Sequence, residues 1–216
     1  MASNKDMREY REMQISIETR AEGEEPQEER KVVTGYATTF GEPYLLWSEP
    51  DYEVWEKVDR NAFDECDMSD VIMQYDHQGR VFARIRNNTL EVRPDETGLF
   101  IRADLGGTDI GRGLYQEIAG GYTDRMSFGF TVDEDEREIV DDRTTGKMTV
   151  TRTIKKIGKL YDVSAVSLPA NPGTSISARL RDGVIADVEA ERLKAQELIE
   201  ARRRAEVRAK ALGGIK

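Results

Sequence analysis

The chain holds one histidine, His77, in the stretch Tyr75-Asp76-His77-Gln78-Gly79-Arg80. Any imidazole chemistry therefore falls to that side chain. Two later segments offer it partners. In a strand reading of Met126-Ser127-Phe128-Gly129-Phe130, Met126, Phe128 and Phe130 share one face while Ser127, Gly129 and Thr131 share the other. A hydroxyl beside a glycine leaves room for something to approach. In Leu160-Tyr161-Asp162-Val163-Ser164-Ala165-Val166 the same alternation puts Asp162 and Ser164 on one face and Val163 and Ala165 on the opposite one. A carboxylate inside an apolar strand needs a partner, because burying it unpaired is costly. An imidazolium suits that need. Asp162 would orient His77 while His77 takes the proton of a serine nucleophile, and residues in such roles need meet only in space. From these residues alone two readings stay open: a serine hydrolase, or a polar turn at His77 with a plain surface serine at 127. Asp76 is the poorer orienter, because in extended backbone it points away from its neighbour His77.

Other chemistries find less support. Cys66 is the single cysteine, which excludes an intrachain disulfide and a cysteine-ligated zinc site. It sits among Asp64, Glu65 and Asp67, whose charges disfavour a thiolate, so it is not expected to be a nucleophile. Asp76 and His77 lack a second imidazole for a metal, and no compact acidic signature points to magnesium. The stretch Gly106-Gly107-Thr108-Asp109-Ile110-Gly111 has neither the glycine spacing nor the lysine of a nucleotide loop. No cofactor is expected.

The elements that must position these residues follow from the rest of the chain. Its 216 residues, 38% of them apolar, support one domain with appendages. The formal charge of −10 is concentrated in 51–70 and 133–142, both read as solvated faces or charged loops. Such a surface repels phosphate, so nucleic acid is not an expected partner. No run approaches the roughly 20 apolar residues of a membrane span. Residues 1–12 are polar, without a signal-peptide core, so a reducing cytoplasm is the expected setting. Residues 1–12 read as a flexible arm. Strands are expected over 14–18, 32–40, 53–58, 71–75, 81–85, 89–93, 98–103, 125–132, 148–156 and 159–166, with a loop over 41–51 and one helical turn over 61–66. Thr108 to Ala119 is a helix stopped by Gly120-Gly121. Many short strands with little helix predict a mainly β fold with helices (α+β), a barrel or sandwich. From Asp182 the composition turns rich in Ala, Glu and Arg, and Ala186 to Leu212 reads as a charged helix with a thin apolar stripe.

Several ordered segments together resemble the prohead (capsid maturation) serine proteases of tailed bacteriophages, which are related in fold to the herpesvirus assembly proteases. They are Val33-Thr34-Gly35-Tyr36-Ala37 with Phe40; Val58 to Phe63, ending Asn61-Ala62-Phe63; Asp76-His77 with Gly79-Arg80; Gly98-Leu99; Met126 to Phe130; and Asp162-Val163-Ser164-Ala165-Val166-Ser167-Leu168-Pro169-Ala170-Asn171-Pro172. Two departures stand out: Asn61 replaces a usual glycine, and Asp76 stands where asparagine is commoner, placing a charge beside the base. The resemblance covers about 13–180 and implies a herpesvirus-protease-like β-barrel followed by a charged helical tail, 181–216. It implies Ser127 as nucleophile, His77 as general base and Asp162 as the third member, with oxyanion donors in the backbone around Ser167 to Asn171 or at Arg125. It also implies cleavage of a scaffold protein or of the scaffold-like arm of the major capsid protein, and self-processing. The setting would be the assembling prohead in the host cytoplasm, from which the enzyme is largely lost or degraded on maturation. A homodimer is allowed for, and the tail would target scaffold. The competing readings are a non-catalytic capsid assembly or scaffold module and a small-molecule esterase. The missing Gly-x-Ser-x-Gly elbow counts against the common α/β form of the esterase.

Overall fold

The framework of the molecule is a hairpin of two long strands, β9 (Arg125–Asp142) and β10 (Lys147–Val166), paired antiparallel along their length. The computed structural model describes residues 8–17, 31–142, 146–167 and 178–213. Every second residue of β10 from Met148 to Ile154 is buried, which makes it a strong strand in its own right. The acidic run 133–142, expected as a loop, is instead the outer half of β9. Its partner strand, not its composition, decides its conformation, and the pairing leaves most of its charged side chains in solvent. The two strands expected over 148–156 and 159–166 are one, with register shifts between Ile154 and Asp162 absorbing the break.

The other edge of β10 carries two short parallel partners in succession. They are β4 (Tyr52–Val58) along Met148–Ile154 and β5 (Ile72–Tyr75) along Asp162–Ala165. Between them a run of turns bonds to β10: Ile157 N–H donates to Ala62 O, Asp67 N–H to Gly158 O, and Leu160 N–H to Asp67 O. On the far side of β9 lies β1 (Glu9–Ile17), whose first six residues pair with β9 and whose last three pair with β2 (Val32–Thr39). The strand begins at Glu9, inside the segment expected to be a loose arm. Sheet pairing continues through β8 (Gly98–Asp104) to β7 (Leu90–Pro94). At the opposite end β3 (Tyr44–Ser48) flanks β4, although 41–51 reads as a loop; β6 (Gln78–Arg84) flanks β5. The result is a mixed α+β fold, mostly strands. Its hydrogen-bonded path runs openly from β3 to β7, so among the described residues it does not close into the expected barrel.

Helix α1 (Asp109–Ala119) is capped by Thr108, whose Oγ1 accepts from Gly111 N–H at 3.0 Å. It lays Leu114 and Ile118 on the larger core. Helix α2 (Ala178–Gly213) begins eight residues earlier than its composition suggests. Leu180, Val184 and Val188 recur at helical spacing and pack on Leu46, Trp47, Tyr52, Val54, Met148 and Val150. Ion pairs from Arg181 to Glu49, Arg192 to Asp51 and Arg137 to Asp187 hold the same stretch. A boundary at 181 therefore falls inside a helix whose first turns belong to the body. Farther along, Leu193, Leu198, Ile199 and Val207 are exposed. Among the described residues no helix is long and apolar enough to cross a membrane.

A buried charge network separates the two apolar clusters. On β4 the inward residues run Val54, Glu56, Val58, and on β10 Val150, Arg152, Ile154. The first of each set belongs to the smaller cluster and the last to the larger. Between them Glu56, wholly buried, accepts two hydrogen bonds from Arg11, at 2.5 and 2.8 Å, one from Arg152 at 2.7 Å and one from Tyr44 Oη at 2.7 Å. Arg152 also bonds both oxygens of Glu9, and Asp135. Read as part of a solvated acidic run, Glu56 is in fact the centre of this cluster. Burial alone would raise its pKa, but the charges and hydrogen bonds of Arg11 and Arg152 overcome it and hold the carboxyl at about 2, against an ordinary 4.5. Its stabilising contribution is therefore complete above pH 4.5 and is lost as pH falls toward 2. Glu56→Gln leaves two buried guanidinium groups short of a counter-charge and should cost about 3–5 kcal/mol in denaturant unfolding. The same variant should show a flatter loss of stability below pH 4.5 than the wild type.

Candidate active site

Three elements meet at His77. Its Nε2 lies 2.7 Å from Ser127 Oγ and its Nδ1 lies 2.5 Å from Asp162 Oδ1. Ser127 and Asp162 are each 1% exposed, while the imidazole, at 18%, remains open to one side. An ionised Asp162 fixes the ring proton on Nδ1, which leaves Nε2 to accept from the Ser127 hydroxyl. A hydroxyl, an imidazole and a carboxylate in that order can activate an oxygen nucleophile.

The strand pairing brings this about. The β9–β10 register sets Ser127 opposite Ser164 and Gly129 opposite Asp162. As the alternation requires, Met126, Phe128, Phe130, Val163 and Ala165 enter the core, while Ser127, Asp162 and Ser164 lie together on the other face. Ser164 Oγ donates to Asp162 Oδ1 at 2.8 Å. Sequence reasoning placed Ser164 on that face without giving it a task; spacing two residues from Asp162 was the available signal. What approaches Gly129 is now explicit. A β-carbon there would stand 2.6 Å from Asp162 Oδ2 and 2.8 Å from Cε1 of Tyr10, so only glycine lets the carboxylate lie over the strand.

His77 sits in the two-residue turn joining β5 to β6, where Tyr75 pairs with Gln78. Asp76 and His77 both have left-handed backbone, with φ of 49° and 58°. This is the geometry that twisted hairpins prefer and that side chains other than glycine resist, at roughly 1–2 kcal/mol per residue. Compensation comes from β10. Asp76 N–H donates to Ala165 O, and its carboxylate accepts from Ser167 N–H and Ser167 Oγ, each at 2.9 Å. The backbone at Asp76 is thus not extended as expected, yet its carboxylate does turn away from His77. Its partner is Ser167, so it ties the histidine turn to the end of the Asp162 strand. No sequence signal marks that pair, 91 residues apart.

Of the proposed oxyanion donors, Ser167 N–H is already given to Asp76, residues 168–171 lie outside the described residues, and Arg125 is exposed at the start of β9. Burial, assisted by the Asp67 charge, pushes the Cys66 thiol up to about 12, which agrees with its reading as an unreactive side chain. Among the described residues no group of three or more His, Cys, Asp or Glu side chains is placed to hold a metal ion.

A sheet-built site with a serine, the chain's one imidazole and a buried aspartate is the arrangement of a serine hydrolase. The family model for the caudovirus prohead serine protease matches residues 15–187, and the chain belongs to that family. It is a serine protease of phage capsid maturation, working among the capsid proteins of the prohead, and the esterase and non-catalytic readings are set aside. No curated protein and no solved structure matches the chain. Because the geometry leaves no space at 129, Gly129→Ala should keep the fold but displace the Asp162 carboxylate. A loss of about 100-fold in kcat/KM on a peptide substrate is expected, with unchanged far-ultraviolet circular dichroism as the control.

Proposed function

We propose that Ser127 Oγ is the nucleophile, His77 the general base and Asp162 the residue that orients and charge-balances the imidazole. The observation that carries this reading is the single imidazole with one nitrogen on Ser127 Oγ and the other on Asp162 Oδ1. Ser127 Oγ attacks the scissile carbonyl carbon as its proton passes to His77 Nε2. The resulting tetrahedral oxyanion collapses, the C–N bond breaks, and His77 delivers the proton to the leaving amine. Water then repeats the sequence on the acyl-enzyme, releasing the acid and restoring Ser127.

The substrates in this reading are the scaffold protein, or the scaffold-like arm of the major capsid protein, and the protease itself. It acts inside the assembling prohead in the host cytoplasm and is largely lost or degraded on maturation. Family membership supports the setting. Co-expression with capsid and scaffold proteins is the direct test. Wild type should yield shortened bands, whereas Ser127→Ala and His77→Ala should leave every chain full length and lower peptide kcat/KM by about 10⁴-fold or more. Asp162→Asn should cost about 10³–10⁴-fold with an intact fold. Cleavage that survives Ser127→Ala would overturn the mechanism.

The tail role is proposed for the part of α2 beyond Arg192, which leaves the body and exposes Leu193, Leu198, Ile199 and Val207 beside basic residues. Truncation after Arg192 keeps Leu180, Val184 and Val188 on their cluster. Such an enzyme should cleave peptide normally yet fail to enter proheads. Packaging at normal copy number would remove the targeting role.

A further inference from the structure

The strand β1 presents two different faces, and each holds something that matters to the site. Glu9 and Arg11 point into the buried charge network, bonded to Glu56 and Arg152. Arg8 and Tyr10 point the other way, toward His77 and Asp162. The Tyr10 ring lies 4.2 Å from the imidazole, centroid to centroid, tilted by 57°. Tyr10 is paired with Gly129, the residue opposite Asp162, and a β-carbon at Gly129 would touch three groups at once: Asp162 Oδ2 at 2.6 Å, Tyr10 Cε1 at 2.8 Å and Arg8 Cδ at 3.2 Å. Asp162 Oδ2 is buried and accepts no hydrogen bond among the described residues. An anionic oxygen in that state is costly unless a positive charge lies near. Arg8 supplies one, with Nη1 3.7 Å from Oδ2 and its guanidinium 3.9 Å above the Tyr161 ring.

We propose that β1 and the residue just before it complete the active site: Tyr10 covers the His77 ring and Arg8 covers the open oxygen of Asp162, so that both act as positioning residues for the general base. Both residues lie N-terminal to the 15–187 matched to the family. An aromatic ring against the imidazole removes water from the Nδ1–H···Asp162 bond, which strengthens it, because a hydrogen bond gains where the surroundings are less polar. The same ring limits rotation of the His77 side chain, adding to its hydrogen bonds with Ser127 and Asp162. The charge network on the reverse face makes β1 a rigid support: Arg11 and Glu9 cannot move without leaving Glu56 and Arg152 under-paired.

The inference rests on His77 being the base, and the test keeps the two apart. With one histidine in the chain, ¹⁵N-histidine labelling gives the signals of His77 alone. In wild type the Nδ1–H proton should be visible and slow to exchange with water. In Tyr10→Ala it should broaden or vanish, kcat should fall at least about tenfold, and KM should stay within about twofold. Tyr10→Phe, which retains the ring, should restore both the signal and the rate. Arg8→Ala should lower kcat by about fivefold at most, since Arg8 is half in solvent. If Tyr10→Ala does not fold, Tyr10→Thr, which keeps a strand-forming side chain there, is read in the same way. A folded Tyr10→Ala or Tyr10→Thr variant with wild-type kcat and an unaltered Nδ1–H signal would overturn the proposal. Activity retained in Ser127→Ala would instead overturn the nucleophile assignment, while the labelled signal would still report whether Tyr10 covers the ring.

Discussion

Because the period of a strand is two, the register between β9 and β10 controls both the core and the chemistry. With Ser164 opposite Ser127 and Asp162 opposite Gly129, the Phe128, Phe130, Val163 and Ala165 side chains all enter the core, and the serine and aspartate emerge side by side. A slip of one residue would turn each set to the wrong face, burying polar groups and exposing aromatic ones. Hydrophobic burial of the core residues therefore specifies the placement of the site. The irregular pairing between Ile154 and Asp162 lets one strand serve β4 in its first half and β5 in its second.

From that register the rest of the site follows by hydrogen bonding. β5 pairs with Asp162–Ala165, which carries the tight turn bearing His77 to the mouth of Ser127 and Asp162. The strain of two left-handed residues in that turn is offset by Asp76, bound to Ala165 and Ser167. Strain held in place by its surroundings is a usual property of catalytic turns. The charge network plays a comparable part at a distance. Apolar side chains at Glu56 and Arg152 would join the two clusters with less desolvation, yet they would not latch β1, which bonds there through Glu9 and Arg11.

Local pattern was most readable where burial is one-sided. β2, β4, β8 and α1 lie close to where alternation and capping put them, and the face of Ser127 and that of Asp162 followed from the same alternation. The misread segments share a cause. β3 is a short apolar run hidden between Gly41-Glu42-Pro43 and Glu49-Pro50-Asp51, and the outer half of β9 has loop-like composition; both are strands because a neighbouring strand offers them hydrogen bonds. Glu56 looked like one more surface acid because charge is read from composition, while its partners Arg11 and Arg152 lie 45 and 96 residues away. The first turns of α2 carry too few apolar residues to announce themselves, and they are held by a groove made from β3, β4 and β10.

By itself the sequence determined that an imidazole mechanism could use only His77, that Ser127 and Asp162 lay on polar faces of apolar strands, and, through its ordered motifs, which family to expect. These are properties of residue type and short-range period, which a linear chain carries openly. Tertiary structure alone decided that the three side chains meet within hydrogen-bond distance, that Gly129 yields its space to Asp162, and that Asp76 anchors to Ser167 rather than to His77. It alone brought Tyr10 and Arg8 over the pair. Those contacts join residues from 33 to 154 positions apart through strand pairing, whose register is settled by burying the whole core at once and not by any local stretch.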